Sequence, residues 1–169
     1  MREGYWVTAG ADLGRMLHRV SNPLVTAVLR SRFHKLLSGS AAVLTVTGRR
    51  SGRSYHVPVQ YAADGQTVYV VPGGWEHKTW WRNLIQPAKV RLRLQGRDVT
   101  GVGQAFSGDR DPQLVAAGMA IYLAKFAASA RVRGIARDAC GRPDPGQLQR
   151  AVPHEVIVRL ILDPPEQVP

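Results

Sequence analysis

Cysteine is almost absent. Cys140 stands alone in 169 residues, which excludes an intramolecular disulfide and any cysteine-based metal site. A reducing, cytoplasmic setting is the expectation. Acidic residues are scarce too, with 12 Asp plus Glu against 23 Lys plus Arg, for a formal charge of +11. Such an imbalance attracts nucleic acid, anionic lipid or a polyanionic small molecule, and says little about fold. No apolar run approaches the roughly 20 residues of a membrane span. Met1 to Gly14 lacks the charged, apolar and small-residue zones of a signal peptide. Hydrolytic machinery is also missing. There is no Gly-x-Ser-x-Gly elbow and no HExxH pair, and His18, His34, His56, His77 and His154 are scattered. No metal site is expected. A chain that builds a pocket with so few acid–base pairs leaves the difficult chemistry to a cofactor.

Two dense regions remain. The first is Leu44-Thr45-Val46-Thr47-Gly48-Arg49-Arg50-Ser51-Gly52-Arg53, followed by Val57-Pro58-Val59-Gln60-Tyr61. Two β-branched runs flank a turn with two glycines, a serine and three arginines. Gly48 and Gly52 permit backbone conformations that let amides converge on an anion. Arg49, Arg50 and Arg53 add planar, permanently charged forks suited to phosphate oxygens. A basic hairpin turn with no ligand is the plainer alternative. The second region is Pro72-Gly73-Gly74-Trp75-Glu76-His77-Lys78-Thr79-Trp80-Trp81-Arg82-Asn83-Leu84. Gly73-Gly74 reads as a loop and His77 to Leu84 as a short helix, whose first amides suit an anion while tryptophans stack on flat rings. Trp80 and Leu84, four apart, read as core; Trp75 and Trp81 are harder to explain by packing.

Around these regions the pattern is mainly β (α+β). Asn22-Pro23 starts a helix with Leu24, Val25, Val28, Leu29, Phe33, Leu36 and Leu37 at helical spacing. It reads as a cover for one face of the fold, and its basic, amphipathic character also suits peripheral contact with a membrane. Strands are expected at Val43 to Thr47, Tyr55 to Tyr61, Thr67 to Val71, Val90 to Leu94 and Val99 to Phe106. Tyr55, Val57, Val59 and Tyr61 share one face, and turns fall at Asp64-Gly65 and Gly96-Arg97. Gly101 and Gly103 suggest a bulge or the curvature of a small barrel. A second helix opens at Pro112, with Leu114, Val115, Met119, Tyr122, Leu123 and Phe126 as its apolar face. Residues 131–150 read as basic loop with a short helix, and Glu155 to Leu162 as a closing strand. The expected organisation is a single domain over 1–169. Within it, 1–41 is an extension with a helix, 42–106 the barrel core, 107–154 helices and loop, and 155–162 the closing strand.

The run TVTGRRSGRSYHVPVQY, then a DG turn, a strand, a glycine pair and HKTWWRNLIQPAKVRLRL, resembles the deazaflavin-dependent nitroreductase family over roughly Leu44 to Phe106. The resemblance implies a split antiparallel β-barrel, FMN-binding-like, with flanking helices. It further implies coenzyme F420 as cofactor and hydride transfer to a small-molecule substrate such as a nitro compound, quinone or enone. By the same resemblance Arg49, Arg50, Ser51 and Gly52 hold the coenzyme's phosphate and acidic tail. Val57, Pro58, Val59 and Gln60 form the strand along the deazaflavin ring. Gly73, Gly74, His77, Lys78, Trp80, Trp81 and Asn83 form the loop and helix beside it. Lys78 and Trp81 depart from the family's usual Pro and Tyr, and Pro72 stands where one branch has a lysine. Tyr122, with Phe126, is the stand-in for that branch's substrate tyrosines and the candidate proton source. FMN in a similar barrel is the rival cofactor, and a non-catalytic cofactor or lipid carrier is a rival class. A homodimer is the family expectation. Nucleic acid is not an expected partner, because the basic residues are spread along the chain rather than gathered.

Overall fold

The computed structural model describes residues 39–164. The helix read at Asn22 to Leu37, with its membrane role, and the last residues of the proline tail lie outside them. Seven strands form one antiparallel sheet. These are β1 (Ala41–Thr47), β2 (Ser54–Gln60), β3 (Ala62–Asp64), β4 (Thr67–Val70), β5 (Ala88–Leu94), β6 (Arg97–Ser107) and β7 (Val156–Leu162). Their spatial order is β2-β1-β5-β6-β7-β4-β3. The two outermost strands, β2 and β3, are consecutive in the chain and separated by Tyr61 alone. The sheet's edges therefore meet at Tyr61, and the sheet must curl into a half-closed barrel. The mainly β, split-barrel expectation holds.

Alternation of side chains supplies two cores. Inward-facing Leu44, Val46, Val59, Tyr61, Val68, Val90, Leu92, Val158 and Leu160 fill the barrel. Successive strand residues point to opposite faces, so Ile157 turns outward onto a second cluster with Val115, Met119, Tyr122 and Leu123. Those four belong to α1 (Pro112–Lys125), which opens on a proline at its first turn. Gly118 lets α1 lie close, because a Cβ there would meet Ile157 and the Tyr69 ring. Two shorter helices follow, α2 (Ala127–Val132) and α3 (Pro145–Ala151), the latter capped by Asp144 accepting from the Gln147 N–H at 2.8 Å.

Several local expectations need correction. Gly101 and Gly103 make no bulge: β6 pairs without interruption with both β5 and β7 through them. They are small because the barrel is crowded there, with Leu160, Val90 and Leu84 around the place a Gly103 Cβ would occupy. The β5–β6 turn lies one residue earlier than read, at Gln95-Gly96, with φ of 49° and 81°. The helix read at His77 to Leu84 is a single 3-10 segment, Trp80–Leu84, and Gly73 to His77 is turn. Tyr55 keeps its face, opposite the inward Val46, but stands at the open end of the strand and is 44% exposed.

Candidate functional site

The glycine–arginine turn joins β1 to β2 and spends much of its own backbone on holding its shape. The Gly48 N–H donates to the Arg53 carbonyl and the Gly52 N–H to the Gly48 carbonyl, both at 2.8 Å. Gly52 has φ 64°, a left-handed conformation that favours glycine. Gly48 is needed for space rather than for φ, since a Cβ would strike the Ser51 hydroxyl and the Tyr55 ring. The Ser51 hydroxyl accepts from the Arg53 N–H at 3.3 Å and lies 3.2 Å from the Tyr55 hydroxyl. Four of the amides expected to converge on an anion are thus engaged, since the Arg49 N–H donates to the Asn83 Oδ1 at 3.2 Å. Among the described residues only the Arg50 and Ser51 N–H groups of the turn lack a partner. The turn's capacity for an anion therefore resides chiefly in the guanidinium groups. Arg49, Arg50 and Arg53 are all exposed, and among the described residues no carboxylate pairs with them.

The Arg49–Asn83 bond is what brings the two dense sequence regions together. Asn83 faces both ways, its Nδ2 donating to the Trp80 carbonyl at 3.0 Å. Leu84 anchors the 3-10 segment in the barrel core, and Trp80 and Trp81 pack partly against that core. Trp81 donates to the Trp75 carbonyl at 3.1 Å, and the two rings meet edge to face with centroids 6.2 Å apart. Trp75 in turn donates to the His154 carbonyl at 3.1 Å. The two tryptophans that resisted a packing explanation in the sequence therefore have one. Gly73 and Gly74 are exposed, and the Gly74 carbonyl receives the N–H groups of His77 and Lys78. His77 is exposed; Lys78 is half-buried, and burial lowers its pKa.

β2 is an outer strand of the sheet, paired only with β1. Among the described residues no strand pairs with its other edge, and Pro58 sits where an edge strand tolerates a residue without an N–H. Val57 and Val59 point into the barrel, and Gln60 is exposed. The Gln60 Oε1 accepts from the Tyr122 hydroxyl at 3.4 Å, so Tyr122 of α1 stands at the far end of this strand. Tyr122 is 3% exposed, and its ring lies 4.7 Å from that of Phe126. Burial pushes its phenol up; contact with Ser129 and the Arg133 charge oppose this, while Glu155 adds to it. Beside it Arg133 grips Glu155 with two bonds, at 2.6 and 3.1 Å. Neither residue carried a signal in the sequence, because 22 positions separate them. Lys125 was missed for the same reason. Its ammonium donates to the Tyr61 carbonyl at 3.0 Å and lies 4.4 Å from the Tyr61 ring centroid, pinning α1 to the point where the sheet's edges meet.

The arrangement is a wall with a cationic end (the arginine turn), an aromatic flank (Trp75, Trp80, Trp81), an open strand edge (β2) and a phenol at its far end (Tyr122). It offers anion binding and backbone hydrogen bonds to a flat polar ring, but no paired carboxylates for hydrolysis. Among the described residues no three His, Cys, Asp or Glu side chains gather as a metal site. An open cleft lined by Ala127, Arg131, Gly134, Ile135, Ala136 and Arg137 shares no residue with this wall.

The sequence pattern of the F420H2-dependent quinone reductase family matches residues 21–132, well over half of the chain. The chain belongs to that family. As a member of the F420H2-dependent quinone reductases it is an oxidoreductase, and its coenzyme is F420. A solved structure described as a domain-swapped dimer is similar at 12% identity and TM-score 0.51, over 90% of this chain and 99% of that one. At that identity the likeness concerns the fold alone. A crystal structure of the Agrobacterium tumefaciens protein Atu2129, of unknown function, shares 17% identity over 94% of this chain and 58% of that one, at TM-score 0.42. No match was found among curated proteins. Among the described residues no helix is long and apolar enough to cross a membrane.

Proposed function

We propose that the chain reduces a small, electrophilic organic substrate, a quinone foremost and a nitro compound or enone as alternatives, in a single-domain protein of the cytoplasm. When bound, the coenzyme supplies the hydride from its deazaflavin ring. Arg49, Arg50 and Arg53 receive its anionic part as charge-assisted hydrogen bonds, with the unengaged N–H groups of Arg50 and Ser51 beside them. Gly52 keeps the turn in the shape that presents them. The open edge of β2 at Val57, Pro58, Val59 and Gln60 offers backbone groups to the ring, and Pro58 keeps a neighbouring strand from occupying that edge. Gly73, Gly74 and His77 leave the opposite rim low, while Trp80, Trp81 and Asn83 hold it rigid. Rigid walls orient the reactants and exclude water, which is most of what a protein adds to hydride transfer.

Tyr122 enters through Gln60. Its raised pKa keeps the phenol protonated at neutral pH, so it orients the Gln60 amide and the substrate's polar end, and water supplies the proton after hydride transfer. Association as a homodimer is part of this proposal, and light scattering on the purified protein reads it directly.

The bond between Arg49 and Asn83 carries the proposal, because it sets the cationic turn beside the aromatic helix and the open strand. The test is a titration with F420 and, separately, with FMN, followed by quenching of tryptophan fluorescence. Saturable binding of F420 in preference to FMN is expected, followed by oxidation of the reduced coenzyme on addition of a quinone. Binding without turnover on quinone, but with turnover on a nitro compound or enone, moves the substrate class. No response to F420 defeats the proposal.

A further inference from the structure

Tyr55 occupies an inward register position of β2, opposite Val46, yet it is 44% exposed. Burial does not account for an aromatic ring at that rim, whereas its contacts do. The ring lies under the arginine turn. A Cβ on Gly48 would stand 2.7 Å from the Tyr55 Cε2 and 2.6 Å from the Ser51 Oγ, so the bare glycine is what admits both groups. The Tyr55 hydroxyl lies 3.2 Å from the Ser51 hydroxyl, which in turn accepts from the Arg53 N–H at 3.3 Å. This pair leaves one hydrogen over. Two hydroxyls carry two hydrogens, and the bond between their oxygens spends one of them. Among the described residues neither hydroxyl has another partner. Both residues are exposed, so the second hydrogen meets solvent at the turn that also carries the unengaged N–H groups of Arg50 and Ser51. A phenol is a stronger donor than an alkyl hydroxyl, and donors in a chain polarise one another when all point the same way. The chain from the Arg53 N–H through Ser51 to Tyr55 meets both conditions, and it ends on the phenol.

We propose that Tyr55 is a coenzyme-binding residue. Its hydroxyl, polarised by Ser51 and the Arg53 amide, donates to the anionic oxygen that the arginine turn receives, whether of the phosphodiester or of the carboxylate tail. This rests on the F420 reading and deepens it. The three guanidinium groups are exposed on long stems, so they attract an anion without fixing its place. A phenol on two torsions, packed against Gly48, gives one directed bond. Tyr55 therefore sets where on the turn the anion rests, and with it how far along β2 the deazaflavin ring reaches.

The experiment uses the full chain with Tyr55→Phe and, separately, Ser51→Ala. The ligands are F420, its deazaflavin–ribityl core lacking phosphate and tail, and the form truncated after the phosphodiester. Tyr55→Phe keeps the ring against Gly48 and removes only the donor. It should weaken F420 binding about tenfold, the scale of a hydrogen bond to a charged group, and leave the affinity for the core unchanged. Ser51→Ala should cost less, because it removes the polarising neighbour and not the contact. A loss that persists with the truncated form assigns the phenol to the phosphodiester; a loss seen only with full F420 assigns it to the tail. Unchanged F420 affinity in Tyr55→Phe overturns the proposal. So does a larger loss from Ser51→Ala, which makes the serine the direct donor. An equal loss for F420 and the core overturns it as well, since Tyr55 then only supports the fold. Failure of the unaltered protein to bind F420 overturns the coenzyme assignment itself, a result distinct from any of these.

Discussion

Arg50 is exposed and keeps an unengaged backbone N–H, so it has a fork and an amide available to one anion. Arg50→Ala should weaken F420 binding by about 1.5–3 kcal/mol, the scale of a charge-assisted hydrogen bond; calorimetric titration that finds no change removes the turn from the site. Asn83 acts differently, through two bonds that hold the turn and the 3-10 segment together. Asn83→Ala should cost about 1–2 kcal/mol of stability, since both partners lose a bond, and should weaken coenzyme binding as well; an effect on stability alone denies it a place in the site. Tyr122 makes a prediction in pH. Its folded pKa is raised above the unfolded value of about 10. Its contribution to stability is therefore fully present below pH about 10 and is lost as pH rises through the folded value. Tyr122→Phe keeps the ring and should flatten part of that alkaline decline in urea unfolding between neutral pH and pH about 11. The arginines and glycines of this site were legible as residue types. Their division of labour was not, because whether an amide is free depends on which carbonyl or side chain reaches it.

At the scale of elements, the 3-10 segment Trp80–Leu84 depends on one side chain. Leu84 is 1% exposed and lies over the place where Gly103 leaves room in β6. Leu84→Ala should cost about 2–5 kcal/mol in chemical denaturation, as for other buried leucines. Coenzyme affinity should fall with it, because Asn83 and the tryptophans ride on the same segment; intact affinity at reduced stability separates the segment from the site. Strands β1, β2, β4, β5, β6 and β7 were readable from alternation and β-branched runs. The length of the helix after Gly74 was not. Trp81 bonds to the Trp75 carbonyl and Trp75 to the His154 carbonyl instead of continuing a helical ladder, and tertiary contacts of that kind override local preference. The same holds for Gly101, crowded by the Ile161 and Leu162 backbone, and for Gly103, crowded by Leu160 and Val90, neither of which makes a bulge.

For the whole molecule, a formal charge of +11 creates a field that favours a polyanionic coenzyme before any contact is made. Raising ionic strength from about 0.02 to 0.5 M shortens the reach of that field from roughly 20 Å to about 4 Å. Stopped-flow association with F420 should slow markedly over that range while dissociation changes less. Association indifferent to salt would show that the net charge has no part in capture. Closure of the barrel also belongs to this scale. The chain turns at Tyr61 from one edge of the sheet to the other, and Lys125 holds α1 against that corner.

Periodicity and β-branched runs are local properties, carried by residues a few positions apart, and from them the sequence alone determined strands β1, β2, β4, β5, β6 and β7, the α1 helix and an antiparallel barrel; the split-barrel class and F420 were what the resemblance of two motifs to a known family implied. Everything that depended on distant residues meeting was decided by the tertiary structure. Arg49 finds Asn83 across 34 positions, Tyr122 finds Gln60 across 62, and β7 slots between β6 and β4.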